Sequence, residues 1–169
     1  MPELIPITPQ LAELYKEVRL RALQADPFAF GSTYAREAQF ADEVWHERIA
    51  CFDGIQKIGF LALDAGKLCG LVGCFLDEQD PTQATVISMW VAPSHRGTGL
   101  SSTLLDAIRT WVHSRGASTL RLTVVSSNNT AIKFYERYGF TKTGRTEPYP
   151  NDPQLFEFEM TRPTTDIKL

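Results

Sequence analysis

One stretch in the middle of the chain, Met89-Trp90-Val91-Ala92-Pro93-Ser94-His95-Arg96-Gly97-Thr98-Gly99-Leu100-Ser101, has the residue types and order to hold an anion. An apolar run that reads as a buried strand stops at Pro93, a glycine-bearing loop follows, and a helix begins. The first N–H groups of a helix have no intrahelical acceptor, and with the helix dipole they form a site suited to phosphate. Gly97 and Gly99 let a ligand approach the backbone closely, and Arg96 adds a fixed positive charge. Alone, such a turn has several readings. Gly97-Thr98-Gly99-Leu100-Ser101-Ser102 lacks the third glycine of a dinucleotide fingerprint, and the G-K-[ST] of a nucleotide-triphosphate loop is absent. A tight turn that needs glycine only for its backbone stays open.

A second stretch, Ser126 to Phe140 (SSNNTAIKFYERYGF), follows another strand-like run and carries a short helix ending at glycine. Together the two stretches resemble the GNAT superfamily of acetyl-CoA-dependent N-acetyltransferases. The first matches that family's V-x-P-x-x-R-G-x-G loop. The second matches its N-x-x-A-x-x-x-Y-x-x-x-G-F segment through Asn128, Ala131, Tyr135, Gly139 and Phe140. Their order and separation match as well. The family usually has Gly or Ala where this chain has Ser101, a small residue whose hydroxyl can itself bond a phosphate.

The resemblance implies an acyltransferase that uses acetyl-CoA as co-substrate, needs no metal, and passes the acetyl group directly to a primary amine. Coenzyme A would lie between the Ala84–Val91 and Thr119–Val125 strands. Its pyrophosphate would sit on backbone N–H groups of Arg96, Gly97, Thr98, Gly99, Leu100 and Ser101. Its pantetheine arm would run along Met89, Trp90 and Val91, faced by Asn128 and Ala131. Lys133 and Arg137 would meet the phosphates of the nucleotide end, although both read equally well as a solvated helix face.

Two proton transfers must then be served. An alkyl amine of pKa ~10.4 is only about one part in a thousand neutral near pH 7.4, a handicap of roughly 4 kcal/mol. The departing thiolate needs a proton, and Tyr135 occupies the family's general-acid position; a phenol of pKa ~10 keeps its proton until then. Tyr135 also reads as an aromatic packed under the sheet beside Phe134 and Tyr138. The base is not visible, because Thr85-Val86-Ile87-Ser88-Met89-Trp90 holds no carboxylate, so a water chain or a carboxylate from elsewhere must serve. Glu37, Glu78 and Asp80 are candidates by loop position only, and each also reads as a solvated charge.

These residues need a sheet and helices to hold them. The pattern predicts a strand over Glu3–Thr8, helices over Gln10–Gln24 and about Asp42–Cys51, and a hairpin of Lys57–Leu63 with Leu68–Leu76. It then predicts a strand (Ala84–Val91), a helix (Gly99–Ser114), a strand (Thr119–Val125), a helix (Asn129–Tyr138) and strands over Phe140–Arg145 and Leu155–Met160. Leu100, Leu104, Ile108 and Trp111 form one apolar stripe, widened by Leu105 and Val112. This order describes an α+β fold, and with the resemblance a GNAT-like one: a mixed, mostly antiparallel sheet of about 6–7 strands flanked by about four helices. Residues 1–169 read as a single domain.

Composition narrows the partners. A net charge of −3 gives no footprint for nucleic acid, and no segment has the apolar length of a membrane span. Cys51, Cys69 and Cys74 fit no zinc spacing and read as buried free thiols, and His46, His95 and His113 are scattered; a cytoplasmic, metal-free protein is expected. The resemblance gives acceptor choice to Arg19–Phe40 and to a loop at Thr146–Gln154. Phe28, Phe30 and Tyr34 with the acidic Glu147 and Asp152 suit a small cationic amine, while the same aromatics also read as a cap on the core. A small amine such as an amino acid, polyamine or amine-bearing antibiotic is the first expectation. A protein lysine or N-terminus and a non-catalytic acyl-CoA-binding module are the alternatives. Dimers are common in the superfamily, so a homodimer is possible.

Overall fold

The computed structural model describes residues 1–166. The strands are β1 (Glu3–Pro6), β2 (Lys57–Asp64), β3 (Lys67–Leu76), β4 (Gln83–Val91), β5 (Thr119–Val125), β6 (Thr141–Tyr149) and β7 (Asp152–Pro163). They form one sheet in the order β1-β2-β3-β4-β5-β7-β6. Every neighbouring pair is antiparallel except β4 with β5. The α-helices among the described residues are α1 (Ala12–Ala25), α2 (Tyr34–Glu37), α3 (Asp42–Ala50), α4 (Leu100–Ser114) and α5 (Asn129–Tyr138).

The expected stripe of α4 is buried in full, from Leu100 through Leu104, Leu105, Ile108 and Trp111 to Val112. It lies close on the sheet because β3 has Gly70 beneath it, where a Cβ would stand only 3.2 Å from Leu104 Cδ1. Gly73, three residues on and so on the other face, would bring a Cβ 3.5 Å from Phe52. Helices therefore cover both faces, and the core forms around β3 and β4.

Two elements differ from the pattern's expectation. A fifth helix, α2, is a single turn capped by Thr33 Oγ1, which accepts the Arg36 N–H at 3.2 Å; one turn is too short to show a period. The expected Thr146–Gln154 loop is instead the end of a long hairpin, with Tyr149 paired to Asp152 across a turn at Pro150 and Asn151. Pro148 is tolerated in β6 because β6 is an edge strand. Cys69 and Cys74 are buried thiols, but Cys51 is exposed just past the end of α3. No helix among the described residues is long and apolar enough to cross a membrane.

Candidate active site

β4 and β5 pair only at Gln83–Thr119, Ala84–Leu120 and Thr85–Arg121. Arg121 pins that end, donating to Thr85 Oγ1 at 3.1 Å and pairing with Asp77 at 3.5 Å. Past it the two strands share no ladder. A bulge in β4 accompanies the parting: Ser88 and Met89 stand opposite the one residue Val72. Ser88 has φ 56°, a left-handed conformation uncommon for a residue with a side chain. Two cavities occupy the opening and share Ala29, Met89 and Tyr135.

The first cavity, about 430 Å³, brings together Met89, Trp90, Val91, Arg96, Gly97, Ser101, Asn128, Ala131 and Tyr135. A further hollow of about 330 Å³ runs past Gly97, Gly99, Ser101, Ser102 and Arg137. Both face the start of α4. The Thr103 N–H donates to Gly99 O at 3.1 Å, so the N–H groups of Leu100, Ser101 and Ser102 precede the first turn's bonds. Gly97 and Gly99 have φ 75° and 90°, and a Cβ at either would meet no atom within 4 Å. The turn thus needs glycine for its backbone, and the space where a side chain would stand at either position is open.

Other residues of that stretch sit differently. Leu100 has its side chain in the core, leaving only its N–H to offer. Thr98 Oγ1 donates to His95 O at 2.6 Å. His95 turns away to Asp64 Oδ2 at 2.8 Å, so it does not border the first cavity. The Arg96 guanidinium is held by Asp26 at 2.6 Å and by Val91 O at 3.1 Å, and the Trp90 indole donates to the same Asp26 oxygen at 2.7 Å. Asn128 Oδ1 caps α5 by accepting the Ala131 N–H at 3.2 Å. Lys133 is exposed and is not among the residues lining the cleft, whereas Arg137 borders both hollows.

Tyr135 is 9% exposed and meets Phe140 edge to face, and its hydroxyl has no hydrogen-bond partner among the described residues. Burial raises its pKa well above the phenol range, so it stays protonated. Burial acts on a thiol in the same direction, as at Cys74, which is pushed up to about 12.

The second cavity, about 370 Å³, lies on the other side of Tyr135 and Met89. Its wall is built around Glu37, which is fully buried at the end of α2. Arg19 of α1 grips both Glu37 oxygens at 3.0 Å and donates to Ser88 Oγ at 3.0 Å, and Arg48 of α3 reaches Glu37 at 3.1 Å. Burial disfavours the Glu37 charge, but the Arg19 hydrogen bonds and both guanidinium charges outweigh it and hold its pKa below the carboxylate range. Glu37 is therefore an ion-pair hub. Glu78 and Asp80 lie in the β3–β4 turn outside both cavities, Asp80 being engaged by Thr82.

A carboxylate that the sequence did not single out does line this cavity. Glu157 on β7 pairs with Val125 of β5 on one side and Glu147 of β6 on the other. Burial, then the neighbouring Glu147 charge, raise its pKa. In sequence it is one of the alternating acids of Phe156-Glu157-Phe158-Glu159, a pattern of a solvated strand face. Only the insertion of β7 beside β5 brings it to the cleft.

The aromatics expected at this end separate. Phe30 lines the cavity, but its ring is covered by the Arg19 guanidinium at 4.8 Å. Phe28 is 54% exposed and Tyr34 41% exposed, and neither borders it. The hairpin turn closes over the segment instead: the Tyr149 hydroxyl donates to Phe30 O at 2.6 Å, and Asn151 Nδ2 to Ser32 O at 3.0 Å. The two segments expected to choose an acceptor are thus clasped together.

A sheet parted at its parallel pair, with a helix N-terminus at the mouth, is the frame of an acyl-CoA N-acyltransferase. The chain belongs to the acetyltransferase (GNAT) family, whose model matches residues 18–140. It is 33% identical over 110 residues to the Escherichia coli ribosomal protein bS18-alanine N-acetyltransferase, covering 63% of this chain and 71% of that one. It is 31% identical over 98 residues to N-alpha-acetyltransferase 30 of Schizosaccharomyces pombe, covering 55% of this chain and spanning 63% of the yeast protein's length. A Salmonella typhimurium acetyltransferase solved with acetyl-CoA shares the fold, with a TM-score of 0.79 at 14% identity over 100% of this chain and 97% of its own. The chain is an acyltransferase, with acetyl-CoA the co-substrate the family and fold support. Among the described residues no group of His, Cys, Asp and Glu is arranged to hold a metal ion.

Proposed function

We propose that the chain, acting as one domain in the cytoplasm, moves the acetyl group of acetyl-CoA to a primary amine of a small molecule. The observation that carries this reading is Tyr135, which borders both the phosphate-ready cavity and the second one. A hollow of about 370 Å³ suits a small ligand.

Acetyl-CoA supplies the thioester. Backbone N–H groups from Gly97 to Ser102, with Arg137, take its phosphates, and Met89 to Val91, Asn128 and Ala131 line the arm. Glu157 accepts a proton from the acceptor's ammonium, and its raised pKa keeps it basic enough for the task. As the N–C bond forms and the C–S bond breaks, Tyr135 gives its proton to sulfur and recovers one from the nitrogen. Two protons leave nitrogen; one ends on sulfur, the other passes through Glu157 to solvent. Burial keeps the proton on Tyr135 until the thiolate forms, and it favours the protonated form of a thiol in the same sense.

Two of the relatives named above are an N-alpha-acetyltransferase and an alanine N-acetyltransferase of ribosomal protein bS18, which supports a second reading, an N-terminal residue as acceptor. Thiol release measured with free amines beside short peptides tests both. Turnover of free amines at rates at least tenfold above peptides supports the first; the reverse order supports the second.

A further inference from the structure

The charges around the second cavity do not balance. Arg19, Arg36 and Arg48 line it, against Glu37 and Glu157. Glu37 is spent on Arg19 and Arg48 together. Arg36, exposed on α2, has no carboxylate partner among the described residues, and its guanidinium lies 6.0 Å from the Phe40 ring. On the same wall the Ser32 hydroxyl is buried without a hydrogen-bond partner. Glu157 sits apart, on β7, with Glu147 rather than an arginine as its charged neighbour.

The cavity is thus polarised. Its Glu157 side favours an ammonium. Its wall of α1, α2 and α3 carries three guanidinium groups, Arg19, Arg36 and Arg48, against the single carboxylate of Glu37. We infer that the acceptor carries a carboxylate as well as its amine, an amino-acid-like molecule, with the carboxylate held by Arg36 and Arg48 and by the spare donor of Ser32. This rests on the proposed amine acetylation and narrows its acceptor. It disfavours polyamines and polycationic antibiotics, which the surplus positive charge repels. A guanidinium recognises a carboxylate through paired N–H donors, and the neutral carboxamide cannot match that bond.

The test compares each protein amino acid with its own carboxamide, and spermidine, by thiol release from acetyl-CoA in wild type and Arg36→Gln. The expected result is at least one amino acid with kcat/KM about tenfold or more above its carboxamide. That preference should fall at least fivefold in Arg36→Gln, with the acetyl-CoA Kd unchanged. Carboxamides or spermidine turned over as well as the acids would overturn the inference, as would a preference untouched by Arg36→Gln. If acetyl-CoA binds but no member releases thiol, the small-amine reading fails. Calorimetric titration of the same acid–carboxamide pairs then decides the carboxylate site: tighter binding of the acid sustains it, and equal or absent binding removes it.

Discussion

The two cavities flanking Tyr135 are built in different ways. The first is made by backbone: a strand end, a glycine turn and a helix start, all within Met89–Ser101, faced by one cap at Asn128. The second is made by side chains from four distant elements, α1, α2, α3 and β7, the three helices joined by ion pairs around the buried carboxylate of Glu37. A backbone site for phosphate depends on local conformation and tolerates varied side chains around it. A side-chain site depends on the whole fold, and one substitution can change what it binds.

That contrast explains what the sequence disclosed. The Gly97 and Gly99 turn, the α4 stripe and the Tyr135 helix are local patterns, readable at fixed spacing. The Arg19–Glu37–Arg48 hub joins residues 18 and 11 positions apart, and the spacing carries no trace of it because α2 is a single turn. Glu157 was hidden for a topological reason, since β7 reaches the cleft only by inserting between β5 and β6. Phe28 and Tyr34 misled because aromatic composition does not say which rings face a cavity. Arg96 reads as a free charge in the sequence, yet Asp26, 70 residues away, holds it.

The contrast predicts separable effects. Tyr135→Phe, at the shared border, should lower kcat about a hundredfold or more and leave the acetyl-CoA Kd within twofold. An unchanged kcat across pH would take the acid role from Tyr135. Glu37→Gln leaves two guanidinium groups without their carboxylate in a buried site, which costs about 3 kcal/mol. Thermal unfolding should report a Tm roughly 6–12 °C lower, while acetyl-CoA still binds at low temperature. Loss of acetyl-CoA binding in the folded variant would mean the two halves are one unit. Gly99→Val should weaken acetyl-CoA about tenfold by crowding the phosphates and straining a φ of 90°; an unaltered Kd would remove the loop from the binding site.

The smallest effect concerns pH. Glu157 must be ionised to accept a proton, and its pKa is raised, so kcat/KM should climb with pH above the ordinary glutamate range near about 4.3. Glu147→Gln removes the neighbouring charge and should move that limb to lower pH. Stability follows the opposite sense. The folded state holds the Glu157 proton more tightly than the unfolded chain, so this contribution is present at low pH and is lost as pH rises through the raised pKa. Glu157→Gln should abolish both dependences. A pH–rate limb that survives in Glu157→Gln belongs to another base.

The central claim is that the backbone-built cavity takes acetyl-CoA, and calorimetric titration of the wild-type chain with acetyl-CoA, beside NAD and ATP, tests it directly. One saturable site, at least about tenfold tighter for acetyl-CoA than for either control, is the predicted result. No saturable heat with acetyl-CoA, or equal affinity for NAD or ATP, would contradict it.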